Sequence, residues 1–191
     1  GNGHYFYHAG QGILASHAMG RGGYTDLTPV AMLFGEHIGV AVKADSPIKS
    51  GRDLIERLKK DPLAHTFGLS AIGTTQHQAV AIALKVAGVD IRKSRNVTFN
   101  SGALARTALL GGHVDIVAAT LGSLDPDVKT GAFRVIAVAS PERLGGAYAD
   151  IPTWREQGAD SAVFLWRAMF GPKSMTLAQV AYWEGIFQRL T

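Results

Sequence analysis

The chain has 191 residues, 47% of them hydrophobic and 18% charged. That balance excludes a disordered polymer and allows one large domain or two small lobes, each with a core of its own. Lys and Arg number 19 against 15 Asp and Glu, for a net charge of +4. The basic residues are dispersed, and the densest groups, Arg57-Lys59-Lys60 and Arg92-Lys93-Arg95, have Glu56, Asp61 and Asp90 beside them. This reads as a solvated face, not a nucleic-acid surface. There is no cysteine, so disulfides, thiol catalysis and cysteine-held metals are excluded. No apolar run approaches a membrane span, and Gly1-Asn2-Gly3-His4 shows no basic region leading into an apolar one.

In chain order, His4–His8 reads as a short aromatic strand, and Thr28–Val42 runs into the apolar stretch Ile38–Val42. A helix is predicted from Gly51 to Lys60, capped by Ser50, with Leu54, Ile55 and Leu58 on one face. His65–Ser70 is a strand. Thr75–Ala87 is a helix with an Ala79, Val80, Ala83, Leu84 stripe, stopped by Gly88. A strand at Val97–Asn100 and a helix at Gly102–Leu110 follow, then a strand at Val114–Thr120 and a short helix at Leu124–Lys129. Phe133–Ala139 is the last strongly apolar strand. Pro152–Gln157 is expected as a helix closed by Gly158, Val163–Phe170 as a strand and Leu177–Leu190 as a final helix.

Alternating strands and helices with short connections imply an α/β fold with a mainly parallel sheet covered on both faces. Ile38–Val42 and Val135–Ala139 bracket a compact block; side by side they would form a two-strand hinge. The expected division is a discontinuous lobe 1 of residues 1–40 and 140–191, and a lobe 2 of residues 41–139.

The segment Ser70-Ala71-Ile72-Gly73-Thr74-Thr75-Gln76-His77 ends a strand in a glycine turn and starts a helix at once. Free backbone N–H groups and the positive end of the helix dipole then point where the strand stops. The pattern recurs at Phe99-Asn100-Ser101-Gly102 and at Ala119-Thr120-Leu121-Gly122-Ser123. In a parallel sheet all three turns lie at the carboxyl edge, where α/β proteins hold ligands. Two or three helix N-termini converging there would hold a carboxylate without Arg or Lys.

Gly10-Gln11-Gly12-Ile13-Leu14-Ala15 matches G-x-G-x-x-A, the dinucleotide fingerprint. The helix after it has room for barely two turns before Gly20, and no strand ending in an acid follows at the ribose-contact spacing. A ligand-lining loop is the better reading, and a nucleotide-cofactor enzyme is the weaker alternative. The seven histidines have no metal-ligand spacing: His4 and His8 would stand about 13 Å apart on a strand. No catalytic motif assembles a nucleophile, a base and oxyanion donors. Neither a cofactor nor a metal is expected, nor enzymatic turnover.

The run FGLSAIGTTQH, Phe67 to His77, resembles the Y-G-S-A-G-x-G-[ST]-x-x-H segment of the periplasmic receptors of tripartite tricarboxylate transporters. The resemblance continues through Ala87–Asp90, Leu109–Asp115, Val128–Val138, Asp150–Thr153, Glu156–Gly158 and, upstream, Thr28-Pro29-Val30. It implies a two-lobed (type II) periplasmic binding fold that closes on a small organic acid and hands it to membrane transporter subunits, as a monomer in the periplasm. It implies ligand contacts from Gly73, Thr74, Thr75 and His77, from Ser101 and Gly102, and from Thr120 and Ser123. From the other lobe it implies Ala9, Gly10 and Gln11, with Trp166 beside Arg167. The family's first strand and Pro-Gly-Gly loop have no counterpart here, so lobe 1 is expected to be incomplete. The family's Tyr-Lys before Ser-Gly is Phe99-Asn100, and its acid-Asn pair is Ala119-Thr120. The effector-binding domain of a transcription regulator shares this architecture and is the alternative.

Overall fold

The computed structural model describes residues 5–18, 20 and 22–190; His4, within the first predicted strand, lies outside them. In chain order the elements are β1 (Tyr7–Ala9), α1 (Gly12–Ala18), β2 (Leu27–Lys43), α2 (Gly51–Lys60), β3 (Thr66–Leu69), α3 (Thr75–Val86) and β4 (Arg95–Thr98). They continue with α4 (Gly102–Leu110), β5 (Ile116–Thr120), α5 (Leu121–Lys129), β6 (Phe133–Val138), β7 (Phe164–Pro172) and α6 (Leu177–Phe187). The chain forms two units. Unit 1 joins residues 1–36 to 165–191, and unit 2 is residues 37–164.

Unit 2 is built on β3, which pairs in parallel with β4 on one side and β5 on the other. β5 in turn pairs antiparallel with β2, and β2 antiparallel with β6. The two apolar segments bracketing the block do lie side by side, with Gly39 opposite Val138 and Val42 opposite Arg134. The sheet is therefore mixed, not mainly parallel as expected, because β2 enters it antiparallel; β5 is buried on both faces, while β4 is exposed. Val117 and Ala119 join Leu109 of α4 and Leu124 of α5 in one apolar cluster, while the alternate residues Ile116 and Ala118, on the opposite face, are also buried. Alanines 105 and 108 in that cluster let α4 sit close to the strands.

Helix α2 forms where its sequence places it. Ser50 Oγ accepts the Asp53 N–H, Asp53 lies in the first turn, and Arg57, Lys59 and Lys60 sit at the negative end of the dipole. Its Leu54, Ile55 and Leu58 are buried. Gly51 is held against Trp154, and a Cβ there would come within 2.6 Å of the indole.

Residues 140–164 pack with unit 2, and the chain changes unit at 36/37 and 164/165. The tie is a bridge between Val138 and Thr153, in which the Val138 N–H donates to Pro152 O (3.0 Å) and the Trp154 N–H to Val138 O (3.1 Å). That bridge holds Thr153 in a strand pairing and takes up backbone groups of Pro152 and Trp154. The helix expected over Pro152–Gln157 is therefore only the 3-10 turn Arg155–Gln157, closed by Gly158 at φ 93°. At the junction the half-buried His37 ring lies 5.2 Å from the Phe164 ring, and desolvation lowers its pKa.

In unit 1, β7 lies between β1 and β2. β1 runs antiparallel to β7, with Ala9 opposite Ala168, and Thr28 Oγ1 donates to Pro172 O at 2.7 Å. Ala9, Ile13 and Phe170 form its small core, with Leu27, Trp166 and Ala168 packed around it.

Candidate anion-binding edge

The parallel register decides where the three turns stand. Thr66–Leu69 align with Arg95–Thr98, and Phe67 and Gly68 align with Ile116 and Val117. The carboxyl ends of β5, β3 and β4 therefore lie along one edge. The Phe99 N–H donates to Leu69 O at 2.8 Å, which carries the pairing past the strand ends and sets Asn100-Ser101 alongside Ser70. Thr120 lies three residues beyond the pair Gly68–Val117. Eight predicted site residues are thus brought to one edge of unit 2: Gly73, Thr74, Thr75, His77, Ser101, Gly102, Thr120 and Ser123.

Each strand hands over directly to a helix. Thr74 caps α3, its Oγ1 accepting the His77 N–H at 3.4 Å, and Ser101 caps α4 by accepting the Leu104 N–H at 3.3 Å. Thr120 caps α5 with no side-chain bond, and Ser123 Oγ donates back to Thr120 O at 2.8 Å. The first N–H groups of a helix have no intrahelical acceptor. Those of Thr75 and Gln76, Gly102 and Ala103, and Leu121 and Gly122 therefore stand at this edge with three helix dipoles behind them, each equivalent to about half a positive charge. Nothing in the eight side chains is charged at neutral pH. The positive potential comes from the backbone.

The first turn is held by bonds that the sequence did not announce. Gly73 has φ +85° and open space where a Cβ would project. Its N–H donates to His77 Nδ1 at 3.1 Å, its carbonyl accepts from Gln78 Nε2 at 2.9 Å, and Thr74 Oγ1 donates to Ala71 O at 2.9 Å. Burial lowers the His77 pKa, and accepting through Nδ1 requires the neutral ring, so the two effects agree. Gln78 was missed in the sequence. Its only signal is an amide five residues beyond a turn glycine, within reach of that glycine's carbonyl.

The other four predicted residues come together in unit 1. Ala9 ends β1 and is buried, Gly10 and Gln11 turn into α1, and Trp166 lies on the neighbouring β7. Gly10 fits closely there: a Cβ would meet Arg167 Nη1 at 2.5 Å and Trp166 O at 2.7 Å. The strand before this turn pairs antiparallel and the helix after it has seven residues. That is not the parallel βαβ unit of a dinucleotide site.

Over residues 17–182 the sequence matches the family described as the tripartite tricarboxylate transporter family receptor. The chain belongs to that family. Within it, the chain is 31% identical over 133 residues to a UPF0065 protein in the gbd 5′ region of Cupriavidus necator, covering 70% of this chain and 39% of that protein. The fold matches a solute-binding protein of the family from Polaromonas, with a TM-score of 0.79 and 22% identity, over 97% of this chain and 63% of that one. It also matches R. palustris Rpa4515, solved with adipate, with a TM-score of 0.79 and 24% identity, over 93% of this chain and 60% of that one. The chain thus spans about two-fifths of the curated relative and about three-fifths of these structures. The family is one of transporter receptors and its members are solute-binding proteins, so the resemblance and the α/β binding-protein fold expected from the sequence both hold.

Proposed function

We propose that this chain is the carboxylate-holding part of an extracytoplasmic solute receptor. In this reading it takes a small organic acid at the edge formed by β5, β3 and β4 and delivers it, in the periplasm, to the membrane subunits of a transporter, without chemical turnover. The observation that carries the reading is the alignment of three strand-to-helix turns on one edge, where the first backbone N–H groups of α3, α4 and α5 have no intrahelical acceptor. Family membership supports it, as does the adipate bound to a protein of the same fold. The energetics suffice: micromolar affinity corresponds to about −8.2 kcal/mol, and hydrogen bonds to a charged group contribute about 1.5–3 kcal/mol each, less the cost of ordering.

A thermal-shift screen with mono-, di- and tricarboxylates tests this directly. A saturable rise in Tm with at least one of them is expected, because a ligand that binds only the folded state stabilises it by mass action. A protein that unfolds cooperatively and shifts with none of them would refute the assignment.

A further inference from the structure

Unit 2 contains a cavity of about 500 Å³ that shares no residue with the edge described above. It lies between the C-terminal half of α5, the start of β6, the residues before α2 and the 147–152 loop. Most of its lining is hydrocarbon, from Val128, Val135, Ile136, Ile151 and Pro152. Its volume falls within the range of small-molecule sites.

The polar part of the lining has a definite sign. Three cations, Lys49, Lys129 and Arg134, face two acids, Asp125 and Asp150. The acids are partly engaged already: Asp125 Oδ2 accepts the Tyr148 hydroxyl at 2.9 Å and stands 4.0 Å from Lys129 Nζ. The other two cations are bonded to carbonyls. Arg134 donates to Ala44 O, Ser46 O and Ile48 O at 2.8–3.1 Å, and its buried Nε has no partner. Lys49 Nζ donates to Ser46 O at 2.9 Å. A carbonyl satisfies a donor but leaves its charge uncompensated, so the cavity combines an apolar body with one net positive charge in its lining.

We propose that this cavity is a second ligand site, for an amphipathic monocarboxylate with one anionic head and an aliphatic tail of about six to eight carbons. The head lies toward Lys49 and Lys129, and the tail lies on Val128, Val135 and Ile151. Asp125 and Asp150 exclude a second carboxylate, so the site differs in chemistry from an edge built of bare N–H groups. The proposal stands independently of the function assigned to that edge.

Octanoate titrated by isothermal calorimetry into the intact chain is the test, with octylamine as the control for the head group. Saturable binding below about 1 mM is expected. It should weaken at least about tenfold both in Val128→Trp, which fills the cavity from an exposed helix position, and in Lys49→Glu/Lys129→Glu. It should be unchanged in Gly73→Asp, a substitution at the other site. Urea melts establish that each variant is folded. The absence of saturable octanoate binding, its persistence in folded Val128→Trp, equal binding of octylamine, or its loss in Gly73→Asp would each overturn the assignment.

Discussion

Substitution at Gly73 separates a backbone-built anion site from one that depends on side chains. The residue has φ +85° and nothing within 4 Å of where its Cβ would project, so a side chain there points into open space at the edge. Any Cβ at this φ costs about 1–2 kcal/mol of folded-state strain, and Gly73→Ala and Gly73→Asp share that cost. Only Asp adds a negative charge. At about 6 Å from a bound carboxylate, with an effective dielectric of about 20, the repulsion is about 2.8 kcal/mol, or about 100-fold in affinity. The assay is calorimetric titration of both variants with the carboxylate giving the largest thermal shift, after urea melts confirm that both are folded. Gly73→Ala is expected to bind within a few-fold of the parent, and Gly73→Asp about 100-fold more weakly. Equal affinity in the two folded variants would show that no anion approaches this turn.

Three further outcomes follow from the packing. Leu109 is fully buried in the cluster that joins α4 to β5, so Leu109→Ala should lower unfolding free energy by about 2–5 kcal/mol in urea titration. Ser101→Ala removes the cap of α4 and should cost about 1 kcal/mol by the same measurement, without the larger loss of a cavity. Burial holds His37 and His77 below the ordinary histidine value of 6.5, so the unfolded chain binds more protons just below that value. Stability is then fully present above 6.5 and falls as pH drops through the lowered folded values, and His37→Gln/His77→Gln should flatten the dependence between about pH 7.5 and 5.5; an unchanged slope would rule the two histidines out as its source.

The local signals that were legible are those in which one residue acts on its nearest neighbours. Ser50, Thr74 and Ser101 each cap the helix they precede, because an N-cap bond spans three residues and needs no tertiary partner. α5 was expected to begin at Leu124 and begins at Leu121. Gly122 and Pro126 weaken the local helical signal, yet burial of Leu121 and Leu124 against the sheet outweighs it. The Pro152–Gln157 helix failed for the converse reason: a bridge to Val138, distant in sequence, takes up its backbone groups. The sequence offered the three turns only as a recurrence. What brings them to one edge is the pairing of β3 with both β4 and β5 in the same direction. Had either strand run the other way, its turn would stand at the opposite end of the sheet and its helix dipole would point away. The parallel register of these three strands therefore concentrates the field of uncharged peptide groups at one edge, and on the proposed reading that field takes the place of Arg or Lys, which are absent from the eight predicted contact residues.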